Sequence, residues 1–86
     1  MALDPSFFTS SIAEEIRAQG RAQGRAEGRA EGRAQAVLIM LEQRGVEVSP
    51  GARDRITTGC QDRETAYRWL TRAVTALSVE DVFEGD

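Results

Sequence analysis

The sequence predicts an all-α fold: one long Gly/Ala-rich helix followed by a small cap of two to three short helices, with helix packing between copies. Three observations lead there. A four-residue repeat runs in register through residues 17–36, an i, i+3, i+4, i+7 apolar pattern occupies residues 66–77, and no alternating apolar and polar stretch is long enough for a strand. The implied organisation is an N-terminal arm over 1–11, a long helix over 12–44 and a cap over 45–86.

The chain has 86 residues, near the lower limit for folding on a single self-sufficient core, so help from self-association is expected. Its apolar content is 41%, yet twelve of those residues are Ala, and residues 17–36 hold no large apolar side chain. The arm carries Leu3, Phe7 and Phe8 around Asp4-Pro5. It is either a disordered end, or a hydrophobic arm that docks on a neighbouring subunit or marks the junction with an upstream domain.

The long helix is expected to start at Ser11-Ile12-Ala13-Glu14, a capping-box pattern, and to stop at Arg44-Gly45. Between them stand five tetrads: Arg17-Ala18-Gln19-Gly20, Arg21-Ala22-Gln23-Gly24, Arg25-Ala26-Glu27-Gly28, Arg29-Ala30-Glu31-Gly32 and Arg33-Ala34-Gln35-Ala36. At about 100° per residue the tetrads resolve into four stripes, with Arg and Gln/Glu on roughly opposite faces and small residues between them. The Gly stripe continues as Ile12, Ile16, Gly20, Gly24, Gly28, Gly32, Ala36 and Met40. The Ala stripe runs from Ala18 through Ala22, Ala26, Ala30 and Ala34 to Leu38. This continuity into apolar residues is the sequence's argument for packing against another helix, with the stripes as the self-association interface. The alternative is a solvated, partly helical spacer. A repeat of 4 exceeds 3.6, so a seam that follows it crosses or coils right-handed. Arg17, Arg21, Arg25, Arg29, Arg33, Glu27 and Glu31 are the candidate ion-pair or phosphate contacts.

Val37 to Leu41 places apolar side chains all round the last helical turns, more than one small cap is expected to cover. Val46-Glu47-Val48 is an extended connector, and Ser49-Pro50 opens a second helix anchored by Ile56 and stopped at Gly59. Asp62 caps a third helix, and Ser78-Val79-Glu80-Asp81 starts a final turn. The expected cap core is Leu41, Ile56, Trp69, Leu70, Val74, Leu77 and Phe83, with Tyr67 at its edge.

Composition excludes several chemistries. There is no His, Lys or Asn, hence no imidazole ligand or base and no Schiff-base lysine. Cys60 is the single thiol, expected as a small buried apolar residue, and its lone presence fits a reducing cytosol. Paired acids such as Asp54 and Asp62, or Glu80 and Asp81, are caps and solvated surface. No catalytic residue, cofactor or metal site is expected. Avoidance of Lys and Asn codons points to a GC-rich bacterial genome. The longest apolar run is Val37 to Leu41, so neither a signal peptide nor a membrane span is expected, and the chain is placed in the cytoplasm.

The layout resembles the C-terminal tails of Rpn-like proteins, the PD-(D/E)XK nuclease or putative transposase group of actinobacteria and cyanobacteria. The residues that carry the resemblance are the tetrads Arg17 to Ala36, then Ala36 to Val46, Arg53-Asp54-Arg55-Ile56, Trp69 to Ala76 and Val82-Phe83. The nuclease core, with its acidic metal ligands and lysine, is absent, so no nuclease residue carries over. The resemblance implies a self-association module, as the tail of a larger nuclease-like protein or as a short product that pairs with the full-length protein and regulates it. Homo-oligomerisation is the expected partnership. The alternative is a nucleic-acid-binding accessory segment through the Arg stripe. Residues 17–36 carry +3, but the whole chain carries −3 and the repeat has no aromatic for base stacking, which weighs against it.

Overall fold

The computed structural model describes residues 5–86, with side chains described from Ser11 onward. The described residues form four helices and no strand: α1 (Pro5–Gln43), α2 (Pro50–Gly59), α3 (Arg63–Ala73) and α4 (Val79–Phe83). Helices α2 to α4 fold onto the C-terminal end of α1. The remainder of α1 projects as a rod, giving extents of 70 × 21 × 18 Å and a radius of gyration of 19.8 Å. A compact chain of this length would have a radius near ~12 Å.

The long helix starts seven residues before the expected Ile12. Pro5 suits the first helical position because the N–H it lacks would have no partner there, and no Gly or Pro interrupts residues 6–11. Ser11 therefore lies inside α1 and does not cap it. The Leu3, Phe7 and Phe8 side chains lie outside the described residues.

The other end stops as expected, and its hydrogen bonds show why. Gly45 takes φ 74°, Val46 N donates to Leu41 O at 2.9 Å and Gly45 N to Glu42 O at 3.0 Å. This is a Schellman closure, in which a left-handed glycine lets the chain reverse over the last orphan carbonyls. Ser49 Oγ then accepts from Ala52 N at 3.2 Å with Pro50 at the start of α2. Asp62 caps α3 twice, accepting from Thr65 N at 3.0 Å and Thr65 Oγ1 at 2.7 Å. Those bonds, the hydroxyl's first, hold the Asp62 carboxyl below its ordinary 3.8. Before α4, the Asp81 carboxylate accepts from the N–H groups of Leu77 and Ser78.

One core joins these elements. Ala34, Val37, Leu38 and Leu41 of α1 meet Ile56, Cys60, Ala66, Trp69, Ala73, Ala76, Val79 and Val82, with Met40, Leu70 and Phe83 packed at its margin. Trp69 and Phe83 meet edge to face at 5.0 Å, and the Arg55 guanidinium lies over the Phe83 ring, 4.2 Å from its centroid.

Two expected core residues are outside it. Val74 is 51% exposed and Leu77 88% exposed. Val74, the helical C-cap five residues after Trp69, lies about 140° round from it and so faces away from the core, while α3 ends at Ala73, before the period reaches Leu77. Tight turns then follow, with Val74 N donating to Thr71 O and Thr75 N to Arg72 O. Ala76, seven residues after Trp69 and still bonded to Arg72 O at 2.9 Å, lies on the buried side, whereas Leu77 does not. Tyr67, expected at the core edge, is also exposed.

Candidate functional site

The feature left without an internal role is the projecting part of α1. Every residue from Glu14 to Arg29 is exposed. A Cβ built on Gly20, Gly24, Gly28 or Gly32 meets no other part of the chain within 4 Å. None of these glycines is needed for a close approach within this chain, and none has the positive φ that favours glycine. On the same stripe Ile12 is 44% and Ile16 62% exposed, while Ala36 and Met40 are half-buried beside the cap.

The two small stripes have different fates because each drifts about 40° per tetrad. The Ala stripe, with Ala22 and Ala26 exposed, rotates into the cap. Ala30 is half-buried, Ala34 is in the core and Leu38 is only 7% exposed. Leu38 is thus a core residue of its own chain and is withdrawn from the expected interface. The Gly stripe drifts in the same sense but stands about 200° round the helix from the Ala stripe, so Gly28 and Gly32 lie on the far side of α1. Ile39 joins them there, 53% exposed. It is the member of the Val37–Leu41 block that the cap leaves uncovered, and its place was hidden in sequence because the block is apolar all round.

The charges are similarly divided. Arg17, Arg21, Arg25 and Arg29 are exposed, as are Glu27 and Glu31. Within the helix Arg17 approaches Glu14 at 3.7 Å, and Gln23 Nε2 donates to Glu27 Oε1 at 3.0 Å. Arg33 is used differently from the other repeat arginines: its Nη1 donates to Cys60 O at 3.1 Å, closing the end of α2 against α1. It is a structural contact. Burial pushes the Cys60 thiol up despite the nearby Arg33 charge, which favours the unreactive protonated form.

The polar centre of the cap involves residues the sequence did not single out. Asp86 accepts from Trp69 Nε1 at 2.6 Å, Arg68 Nη2 at 2.9 Å and Arg72 Nη1 at 2.9 Å, while its backbone oxygen accepts from Arg55. Arg44 donates to the carbonyls of Ala73 and Ala76, tying the end of α1 to the end of α3. A hint in sequence was the i, i+4 pair Arg68 and Arg72, which presents two cations on one face; their acid lies on a distant turn.

The Trp69 N–H, then Arg68 and Arg72, hold the Asp86 carboxyl below its ordinary 3.8. A depressed folded-state value means that this stabilisation is full above the ordinary value and is lost as pH falls through the folded one. Thermal melts from about pH 5 to about pH 2.5 should therefore show an acid loss of stability that is smaller in Asp86→Asn, with the remainder including the Asp62 cap.

Among the described residues no three His, Cys, Asp or Glu side chains gather as a metal site, and no helix is long and apolar enough to cross a membrane. Comparison with family models, curated proteins and solved structures returns no match to this chain.

Proposed function

We propose that this chain is a non-enzymatic self-association module that works through the projecting part of α1. The observation that carries the proposal is the exposed rod itself, with isoleucines at one end, an uncovered Ile39 at the other and four open glycines between them. Four interior glycines cost about 3–4 kcal/mol of helix propensity relative to Ala. Arginines spaced i, i+4 add repulsion. A packed neighbour offsets both, because glycine lets a second backbone come close.

The interface on this reading is Ile12, Ile16, Gly20, Gly24, Gly28, Gly32, Ala36, Ile39 and Met40, flanked by the arginines and Gln/Glu residues. The resemblance to Rpn-like tails extends the proposal to its biology. The module holds together copies of a larger nuclease-like protein, or pairs with that protein as a short regulatory product, in the cytoplasm of a bacterium.

Substituting Gly24→Leu and Gly28→Leu tests it. Leucine raises helix propensity by about 0.8 kcal/mol per site or slightly less, so the monomer gains helicity while close packing is blocked. The expected result is higher far-UV helicity at low concentration together with loss of the oligomer in sedimentation. Retained assembly would remove the glycine surface from the account.

A further inference from the structure

The proposed self-association leaves the direction of the second helix open, and the flanking charges decide it. Each tetrad places Arg one residue after Gly and Gln/Glu one residue before the same Gly. Viewed down α1 with the glycine side toward a partner, Arg lies about 100° to one side and Gln/Glu about 100° to the other. The exposed helix face therefore has one cationic edge, Arg17, Arg21, Arg25 and Arg29, and one edge of amides and carboxylates, Gln19, Gln23, Glu27 and Glu31.

We infer that the occupant of this face is a second copy of the chain with its α1 parallel to the first. A two-fold axis along the helices sets the Arg edge of each copy against the Gln/Glu edge of the other. A two-fold axis across them, centred on the repeat, sets Arg against Arg along one edge, where like charges repel, and Glu27 and Glu31 against the neutral Gln23 and Gln19 along the other. The result holds if the Ala side faces the partner, because Ala is also flanked by Arg and Gln/Glu. In register, Arg25 and Arg29 lie two residues, about 3 Å along the axis, from Glu27 and Glu31 of the second copy.

The apolar residues do not discriminate. Ile39 stands about 180° round α1 from Ile12 and about 140° from Ile16, so the two ends do not face one straight neighbour together in either direction. Parallel pairing across the Ile39 side also leaves both caps at one end, facing outward on opposite sides, because Ile39 points away from the cap core.

This inference rests on the self-association reading, and its test separates the two. A nitroxide is attached to Ser11→Cys in a Cys60→Ala background, the mass is measured by light scattering, and the spin–spin distance is read by pulsed dipolar spectroscopy. Parallel helices place the two labels at the same axial level, at about 20 Å or less with helix axes 8–10 Å apart. Antiparallel helices centred on the repeat bring residue 11 level with residue 41, which separates the labels by about 45 Å. A dimeric mass with the short distance is the expected result. A dimeric mass with only the long distance overturns the parallel arrangement and leaves self-association standing, whereas a monomeric mass overturns both.

Discussion

Replacing Trp69 with Ala is expected to remove most of the stability of the cap. Trp69 is 4% exposed, packs on Phe83 and donates its indole N–H to Asp86, so truncation opens a cavity and releases the carboxylate that gathers Arg68 and Arg72. Large-to-small changes at buried tryptophan cost about 3–5 kcal/mol. A chain of this length has a total of roughly 4–13 kcal/mol. The loss corresponds to a fall in Tm of tens of degrees, and denaturant unfolding followed by circular dichroism would measure it. A Tm within a few degrees of wild type would show that the Trp69–Phe83–Asp86 cluster does not hold the cap together.

The second large effect is at Gly59, where Ala should destabilise even though it is the better helix former. A Cβ on Gly59 would overlap Cη2 and Cζ3 of the Trp69 ring and sit 3.2 Å from Cζ2. The ring is fixed between the core and Asp86, so it has little freedom to withdraw. Overpacking of this kind costs about 1–3 kcal/mol, against a propensity gain of at most about 1 kcal/mol. The opposite sign is expected at Gly24, where a Cβ meets open space and Ala should raise the helicity of α1. Parallel urea titrations of Gly59→Ala and helicity measurements on Gly24→Ala would show that contrast, and a stabilised Gly59→Ala would contradict the packing described for Trp69.

Gly59 also shows how far sequence reasoning reached. Its position at the end of α2 was legible, but the constraint on it is a ring from another helix, which local pattern does not encode. Signals written in neighbouring residues survived folding: Arg44-Gly45-Val46 closes α1, Ser49-Pro50 opens α2 and Asp62 caps α3. Signals that depended on how far an element continues did not. The apolar period that reached Leu77 is cut by the end of α3, while α1 passes through the capping pattern at Ser11 because Pro5 offers an earlier start.

The candidate interface was legible as two stripes, but the cap takes one of them. Stripe continuity from Ala30 to Leu38 looked the same as continuity from Gly32 to Met40, and only the docking of α2 and α3 separates them. Ile39 was hidden for the related reason that an all-apolar block names no outward side. Asp86 could be connected to Trp69, Arg68 and Arg72 only through the tertiary fold.

The central claim, that the exposed rod of α1 exists to pair with another copy, is tested most directly by the solution mass of the chain. Size-exclusion chromatography with light scattering at about 0.1 M and about 1 M salt separates backbone packing from charge pairing, since the screening length falls from about 10 Å to about 3 Å. A discrete multiple of 9.4 kDa is expected at both salt concentrations, with the charges biasing orientation more than supplying the association. A mass of 9.4 kDa at both, across micromolar concentrations, would contradict it and return the repeat to the role of a solvated spacer.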